Sequence, residues 1–161
     1  MRSIEIDNIK GFTDRLFAGT DFDEFQAVEA DFSTACTIKI DGHINEDFIG
    51  EEDMKLPENE EGILLWKKLR PICFEVIKGK KTPKQFNIVL RLPDRYKQRF
   101  IAQSGVNMDP DEIAGLFLNI NFKQGKLYCV TGCSLKTFTL DKSLEFAWDE
   151  YMEKFVKRMN A

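Results

Sequence analysis

Histidine occurs once in these 161 residues, at His43, and cysteine four times, at Cys36, Cys73, Cys129 and Cys133. A serine hydrolase would have to rest on that one histidine, and the sequence has no Gly-x-Ser-x-Gly elbow. Four cysteines in a chain this long are too sparse for a secreted disulfide scaffold, so reduced and mostly buried thiols are expected. No apolar run approaches the ~18 residues of a membrane span. The opening residues, MRSIEIDNIKGF, lack an apolar h-region and carry Glu5 and Asp7, so no signal peptide is expected. A soluble, cytoplasmic protein is expected.

What is present fits one domain over residues 1–161, long enough to bury a core without disulfide or metal staples. Hydrophobic residues make up 43% and charged residues 31%, ordinary for a globular protein, and the 14 phenylalanines favour strands and a filled core. Net charge is −4 but strongly segregated. Residues 1–66 hold 17 acids and 5 bases, residues 67–99 hold 11 bases and 2 acids, and the remainder is nearly balanced. One basic block is set in an acidic chain.

Periodicity predicts a first helix over Asn8 to Phe17, with Ile9, Phe12, Leu16 and Phe17 on one face. Strand patterns follow in EFQAVEADF, CTIKI and HINEDF, the last two joined by the hairpin signal Asp41-Gly42. The acidic stretch after Gly50 reads as a loop that opens a short helix from Leu64 to Leu69, stopped by Pro71. ICFEVI and FNIVLRL then read as a second hairpin whose tip is the lysine-rich turn. A helix over DRYKQRFIAQ ends near Gly105, and GLFLNINF and KLYCV form a third hairpin with alternating burial. Gly132 is expected at a bulge or bend before SLKTFTL. From an Asp141 cap, Leu144, Ala147, Trp148, Tyr151, Met152, Phe155 and Met159 share one face of a C-terminal helix, and Trp148, Tyr151 and Phe155 are expected to anchor the core. The fold class is α+β: a curved, mostly antiparallel sheet of about six to seven strands built from hairpins, with helices packed on one face.

The chemistry-bearing constellations are sparse. Gly79-Lys80-Lys81-Thr82 lacks the upstream glycine and following helix of a phosphate loop. Its lysines (Lys78, Lys80, Lys81 and Lys84) are the candidate contacts for a polyanion, supported by Tyr96 and Phe100 among the bases of 67–99. Against this, a hairpin tip must be polar, edge lysines discourage aggregation, and nine acids over 41–61 stand ready to neutralise the block. Cys129 and Cys133 are spaced like half of a metal site, but on a continuous strand they are ~13 Å apart, too far for one zinc unless the strand bends at Gly132, and no second ligand pair is visible. His43 lies beside Asp41, Glu46 and Asp47, a carboxylate–histidine arrangement that equally fits an exposed turn. Neither catalytic, cofactor-binding nor metal-binding residues are assigned.

The segments WKKLRPICFEVIKGKKTP and TGCSLKTFTLDKSLEFAWDEY, with CTIKIDGHIN upstream, resemble an uncharacterised family of small clostridial proteins. The resemblance runs from about Ile9 to Lys157 and implies no activity, substrate, cofactor or catalytic residue. The resulting expectation is a non-catalytic cytoplasmic binding or interaction module, without cofactor and without membrane contact, for which a protein partner is open and the oligomeric state unassigned. Two rivals stay open: a nucleic-acid-associated protein using residues 67–99, and a ligand-binding protein or enzyme with a cleft between sheet and helices.

Overall fold

The computed structural model describes residues 1–160. Six strands form one open antiparallel sheet: β1 (Ser3–Ile6), β2 (Gln26–Ser33), β3 (Thr37–Asp41), β4 (Gln85–Arg91), β5 (Ile113–Lys123) and β6 (Lys126–Leu135). Their order is β1-β6-β5-β4-β2-β3. Five helices accompany them: α1 (Ile9–Phe17), α2 (Glu46–Met54), α3 (Trp66–Ile77), α4 (Asp94–Ser104) and α5 (Ser143–Asn160). Short 3-10 turns cover Pro57–Gly62 and Pro110–Glu112.

Strict alternation builds the sheet. On β5, Leu116, Leu118, Ile120 and Phe122 are buried while Asn119 and Asn121 stay half-exposed. The register continues the pattern sideways, pairing Phe122 with Phe86 and Asn121 with Asn87. Phe12, Leu16 and Phe17 of α1, Trp66, Leu69 and Cys73 of α3, and Leu144, Trp148, Met152 and Val156 of α5 join the buried strand residues in one core. The opposite face meets solvent, so the fold is α+β with helices on one side.

Local chemistry sets the element ends. Asn8 caps α1 by accepting from the Gly11 N–H at 3.1 Å. Gly105, at φ 74°, closes α4 in the left-handed region. Gln124 and Gly125 both take positive φ, the turn that matches the twist of the β5–β6 hairpin. Asp141, expected as the cap of α5, lies one residue before the observed cap position Lys142, accepts from the Ser143 N–H at 2.9 Å, and is held below the usual carboxylate range by that bond.

Several sequence expectations are corrected. Residues 72–77 are helical, not a strand, because Trp66, Leu69 and Cys73 fall on one buried stripe of α3. Pro71 does not stop this helix; its ring is exposed, and only the bond to the Lys67 carbonyl is forgone. The lysine-rich segment is therefore a helix-to-strand loop rather than a hairpin tip. The first hairpin turns at 34–36, with Ser33 paired to Thr37, and not at Asp41-Gly42. Gly42 is instead a point of close approach, where a Cβ would lie 1.6 Å from the Ala27 carbonyl oxygen. Beyond it only His43 bridges, to Ile63, and Glu46–Met54 is an exposed helix whose first-turn acids suit its N-terminus. β1 has no strong strand signal of its own in the sequence; SIEI is four residues long and acquires its identity by pairing with β6. Gly132 pairs regularly with Phe117, the register slips at Ile113/Gly115 and Ala27/Glu29 instead, and β6 ends at Leu135 before most of SLKTFTL.

Candidate functional site: an aromatic cleft beside two helices

Helix α4 presents Tyr96, Arg99, Phe100 and Gln103 at spacings of three, four and seven, which is one helical face. That face meets α5, where Phe100 packs edge-on against Trp148 at 5.3 Å and Tyr151 at 5.4 Å. Trp148 is fully buried and donates its indole N–H to the Phe117 carbonyl at 2.9 Å. One turn on, Phe155 packs edge-on against Phe22 at 5.3 Å and Phe25 at 5.8 Å. The space left among these rings is an open cleft of about 400 Å³. Phe25, Leu92, Phe100 and Phe155 line its apolar part, Tyr96 and Tyr151 contribute phenol rings, and Asp21, Glu24, Arg99 and Gln103 bring polar groups. A second depression of about 320 Å³ shares Phe100, Gln103 and Tyr151 and adds Phe146 and Lys154.

The expectation that Trp148, Tyr151 and Phe155 all anchor the core therefore holds for Trp148 alone. Tyr151 is 43% exposed and Phe155 is half-buried. The reason is rotational: a stripe as broad as that of α5 covers more than the sheet beneath it, and its edge faces α4 and the segment 20–25.

The charges at this cleft are unequal. Arg15 holds Asp21 with two bonds, of 2.8 and 3.1 Å. Arg95 donates to Glu24 at 3.2 Å, and the Tyr96 hydroxyl approaches the same oxygen at 3.4 Å. Among the described residues, the side chains of Arg99 and Lys154 have no ion-pair or hydrogen-bond partner.

The lysines singled out from sequence lie elsewhere. Lys78, Lys80, Lys81 and Lys84 are exposed on the loop between α3 and β4. Lys78 pairs with Glu75 of its own helix at 2.7 Å, while the other three have no ion pair among the described residues. The register sets Gln85 opposite Lys123, and Lys123 opposite Lys126, so five unpaired lysines gather at one end of the sheet. The acids of 41–61 do not neutralise that end. Glu58 approaches Lys68 at 3.8 Å and Glu61 approaches Arg91 at 3.3 Å, at the other side of the basic block. The interleaved Tyr96, Arg99 and Phe100 belong to the cleft rather than to the lysine loop.

The remaining candidates do not assemble. His43 Nδ1 lies 2.6 Å from Asp41 Oδ1, an oxygen that also accepts the His43 N–H at 3.0 Å, and both residues are exposed. Those bonds hold Asp41 below its ordinary carboxylate range. Glu46 and Asp47 are exposed acids in the first turn of α2. Cys129 is buried in the core, where desolvation pushes its thiol up to about 12; burial also raises Cys133. Regular pairing of both with β5, to Ile120 and Leu116, leaves the strand unbent between them. Among the described residues no three His, Cys, Asp or Glu side chains converge as a metal site. Likewise, no described helix is long and apolar enough to cross a membrane.

Residues 15–161 match the profile of a family of unknown function, DUF5721. The chain belongs to the DUF5721 family. The match agrees with the resemblance to an uncharacterised family seen in the sequence, and it includes every residue of the cleft and of the lysine end. β1 and the first part of α1 precede it. No curated protein and no solved structure matches this DUF5721 chain.

Proposed function

We propose that this DUF5721 chain is a non-catalytic binding module of the cytoplasm, one domain over residues 1–161, that takes a small molecule into the cleft beside α4 and α5. The observation carrying this reading is the cleft itself. Its ~400 Å³ falls in the size range of small-molecule sites, and such sites are mostly apolar with a few placed polar groups. The ring of Tyr151 offers apolar area to solvent at a place where burying it would be easy. A binding role is favoured over catalysis because each cleft carboxylate is engaged by an arginine and no histidine, serine or cysteine lines the space. The test is an NMR fragment screen on uniformly 15N-labelled protein. Binders should perturb the amides of Tyr96 to Gln103 and of Trp148 to Phe155 together. A screen whose binders map elsewhere, or that finds none, overturns the reading.

A second reading rests on the lysine end of the sheet. Lys80, Lys81, Lys84, Lys123 and Lys126 carry uncompensated charge on exposed side chains, which is what a polyanion contact requires. Lys78 is discounted there by its bond to Glu75.

A further inference from the structure

We infer that the ligand of the α4–α5 cleft is a flat, apolar monoanion, an aryl or arylalkyl carboxylate, held by Arg99 with its ring against Tyr151 and Phe100. The inference rests on the cleft being a binding site and adds the chemistry it selects. Charge balance leads to it. Asp21 is matched by Arg15 and Glu24 by Arg95, so the two acids at the cleft are neutralised before any ligand arrives. Arg99 is not matched, and the cleft is left with one surplus positive charge. A cationic ligand would find both carboxylates already paired, whereas an anion would find a guanidinium with no partner among the described residues, in a cleft lined largely by rings.

The number and shape of the donors narrow the anion. A phosphate is usually held by several donors, often backbone N–H groups at a helix N-terminus. The start of α4 is already occupied: the Asp94 N–H donates to Glu61 at 2.7 Å and the Tyr96 N–H to the Pro93 carbonyl at 3.0 Å. One arginine fork remains, and its planar pair of N–H donors matches a planar carboxylate. Gln103, one helical turn beyond Arg99 on the same face, brings a side-chain amide that no other described residue uses. The apolar body of the ligand is set by the aromatic lining. Phe25, Phe100, Tyr151 and Phe155 present ring edges and faces, against which a flat ring packs with little loss of conformational freedom. Lys154, unpaired but across Tyr151 in the neighbouring depression, serves as an internal control for nonspecific attraction.

The probes are indole-3-acetate and its neutral counterpart indole-3-acetamide, titrated into the 15N-labelled full chain at near-physiological salt. The acid should bind with a Kd near or below ~1 mM, perturbing amides of α4 and α5, and about five- to tenfold more tightly than the amide. Arg99→Gln should bring the acid down to the affinity of the amide while the amide itself is unaffected. Lys154→Gln should leave both affinities within about twofold. Both positions are exposed, and a wild-type-like spectrum of each variant verifies folding. Equal binding of acid and amide by the unaltered chain overturns the anion inference and leaves the cleft reading standing. Perturbations outside the cleft, or none up to ~10 mM of either probe, overturn both. Acid selectivity that survives Arg99→Gln but falls with Lys154→Gln overturns the assignment to Arg99.

Discussion

Arg91 is only 8% exposed, yet its guanidinium has no lack of partners. It donates to the Gln26 side chain at 2.8 Å, to Asp94 at 2.9 Å, to the Ala114 carbonyl at 3.0 Å and to Glu61 at 3.3 Å. These contacts tie the end of β4 to the 3-10 turn at Pro57–Gly62 and to the first residue of α4, so they set where the cleft's helix begins. Arg91→Ala would leave the buried Gln26 oxygen without its donor and take the cation from Asp94 and Glu61, and the expected loss is about 3 kcal/mol in urea denaturation. A loss under ~1 kcal/mol would mean that solvent replaces the arginine freely. The two aromatic neighbours on α5 should separate in the same experiment. Trp148→Ala removes a fully buried side chain and should cost at least about 3 kcal/mol, whereas Phe155→Ala, half-buried at the cleft, should cost about 1–2 kcal/mol. Equal costs would place Phe155 in the core and remove a wall from the proposed site. The thiols divide similarly. Burial raises Cys73 and Cys129 to about 12, so neither forms thiolate near neutral pH. Iodoacetamide at pH 8 should modify exposed Cys36 first, Cys133 slowly, and Cys73 and Cys129 only after unfolding. Purified protein should carry less than about one zinc per ten chains, as measured by elemental analysis.

At the scale of elements, α3 is the instructive case. It carries Pro71 in its interior, where proline is normally excluded because it removes one backbone bond and crowds the preceding turn. Trp66, Leu69 and Cys73 hold the helix by burial, and Trp66 also donates to the Leu16 carbonyl at 2.9 Å. Pro71→Ala should restore the bond to the Lys67 carbonyl and raise stability by about 1–2 kcal/mol, less than the intrinsic helix cost of proline because the unfolded chain gains freedom. Destabilisation instead would show that the ring packs usefully at the surface. The same helix marks the limit of what the sequence discloses. α1, α4, α5 and the β5–β6 hairpin were legible because their apolar periods of 3.6 or 2 run unbroken to clear stop signals such as Gly105 and the turn at Gln124–Gly125. In α3 two local rules, proline as a stop and Ile72, Phe74 and Val76 as strand alternation, agreed with each other and lost to the burial of Trp66, Leu69 and Cys73. β1 and α2 have no strong period and take their form from what lies beside them. The cleft was hidden for a different reason. Its members come from 21–25, 92–103 and 151–155, and only packing brings those stretches together. The one trace in the sequence is the face Tyr96, Arg99, Phe100 and Gln103, where an arginine and an amide interrupt an aromatic stripe.

Across the whole molecule the net charge of −4 describes no part of the surface well. The acids of 41–61 and the bases of 67–99 do meet, but through Arg91 and Lys68 rather than through the lysine loop. Lys80, Lys81, Lys84, Lys123 and Lys126 are left together at one end of the sheet with no ion pair among the described residues. At physiological salt the screening length is about 8 Å, so apart from near acids such as Asp31, which shares a depression with Lys123, carboxylates elsewhere weaken this patch little. A polyanion should therefore feel the lysines first and the net charge only at low ionic strength. Exposed lysines without stacking rings give weak contacts: Phe86 and Phe122, beside Lys84 and Lys123 in the sequence, are buried, and Tyr96 and Phe100 line the cleft. Binding of a twenty-nucleotide oligothymidylate should accordingly be undetectable below ~10 μM at near-physiological salt. It should emerge at ~20 mM salt, with log K falling by about 0.7 per phosphate contact for each decade of salt. Alanine at Lys80, Lys81, Lys123 and Lys126 should abolish the low-salt binding while changing stability by no more than ~0.5 kcal/mol per site. Fluorescence anisotropy across a salt series decides the matter. Absence of binding at ~20 mM salt, or binding that persists in the fourfold variant, would remove the lysine end as a polyanion contact and leave those side chains as solvated ends of strands and loops.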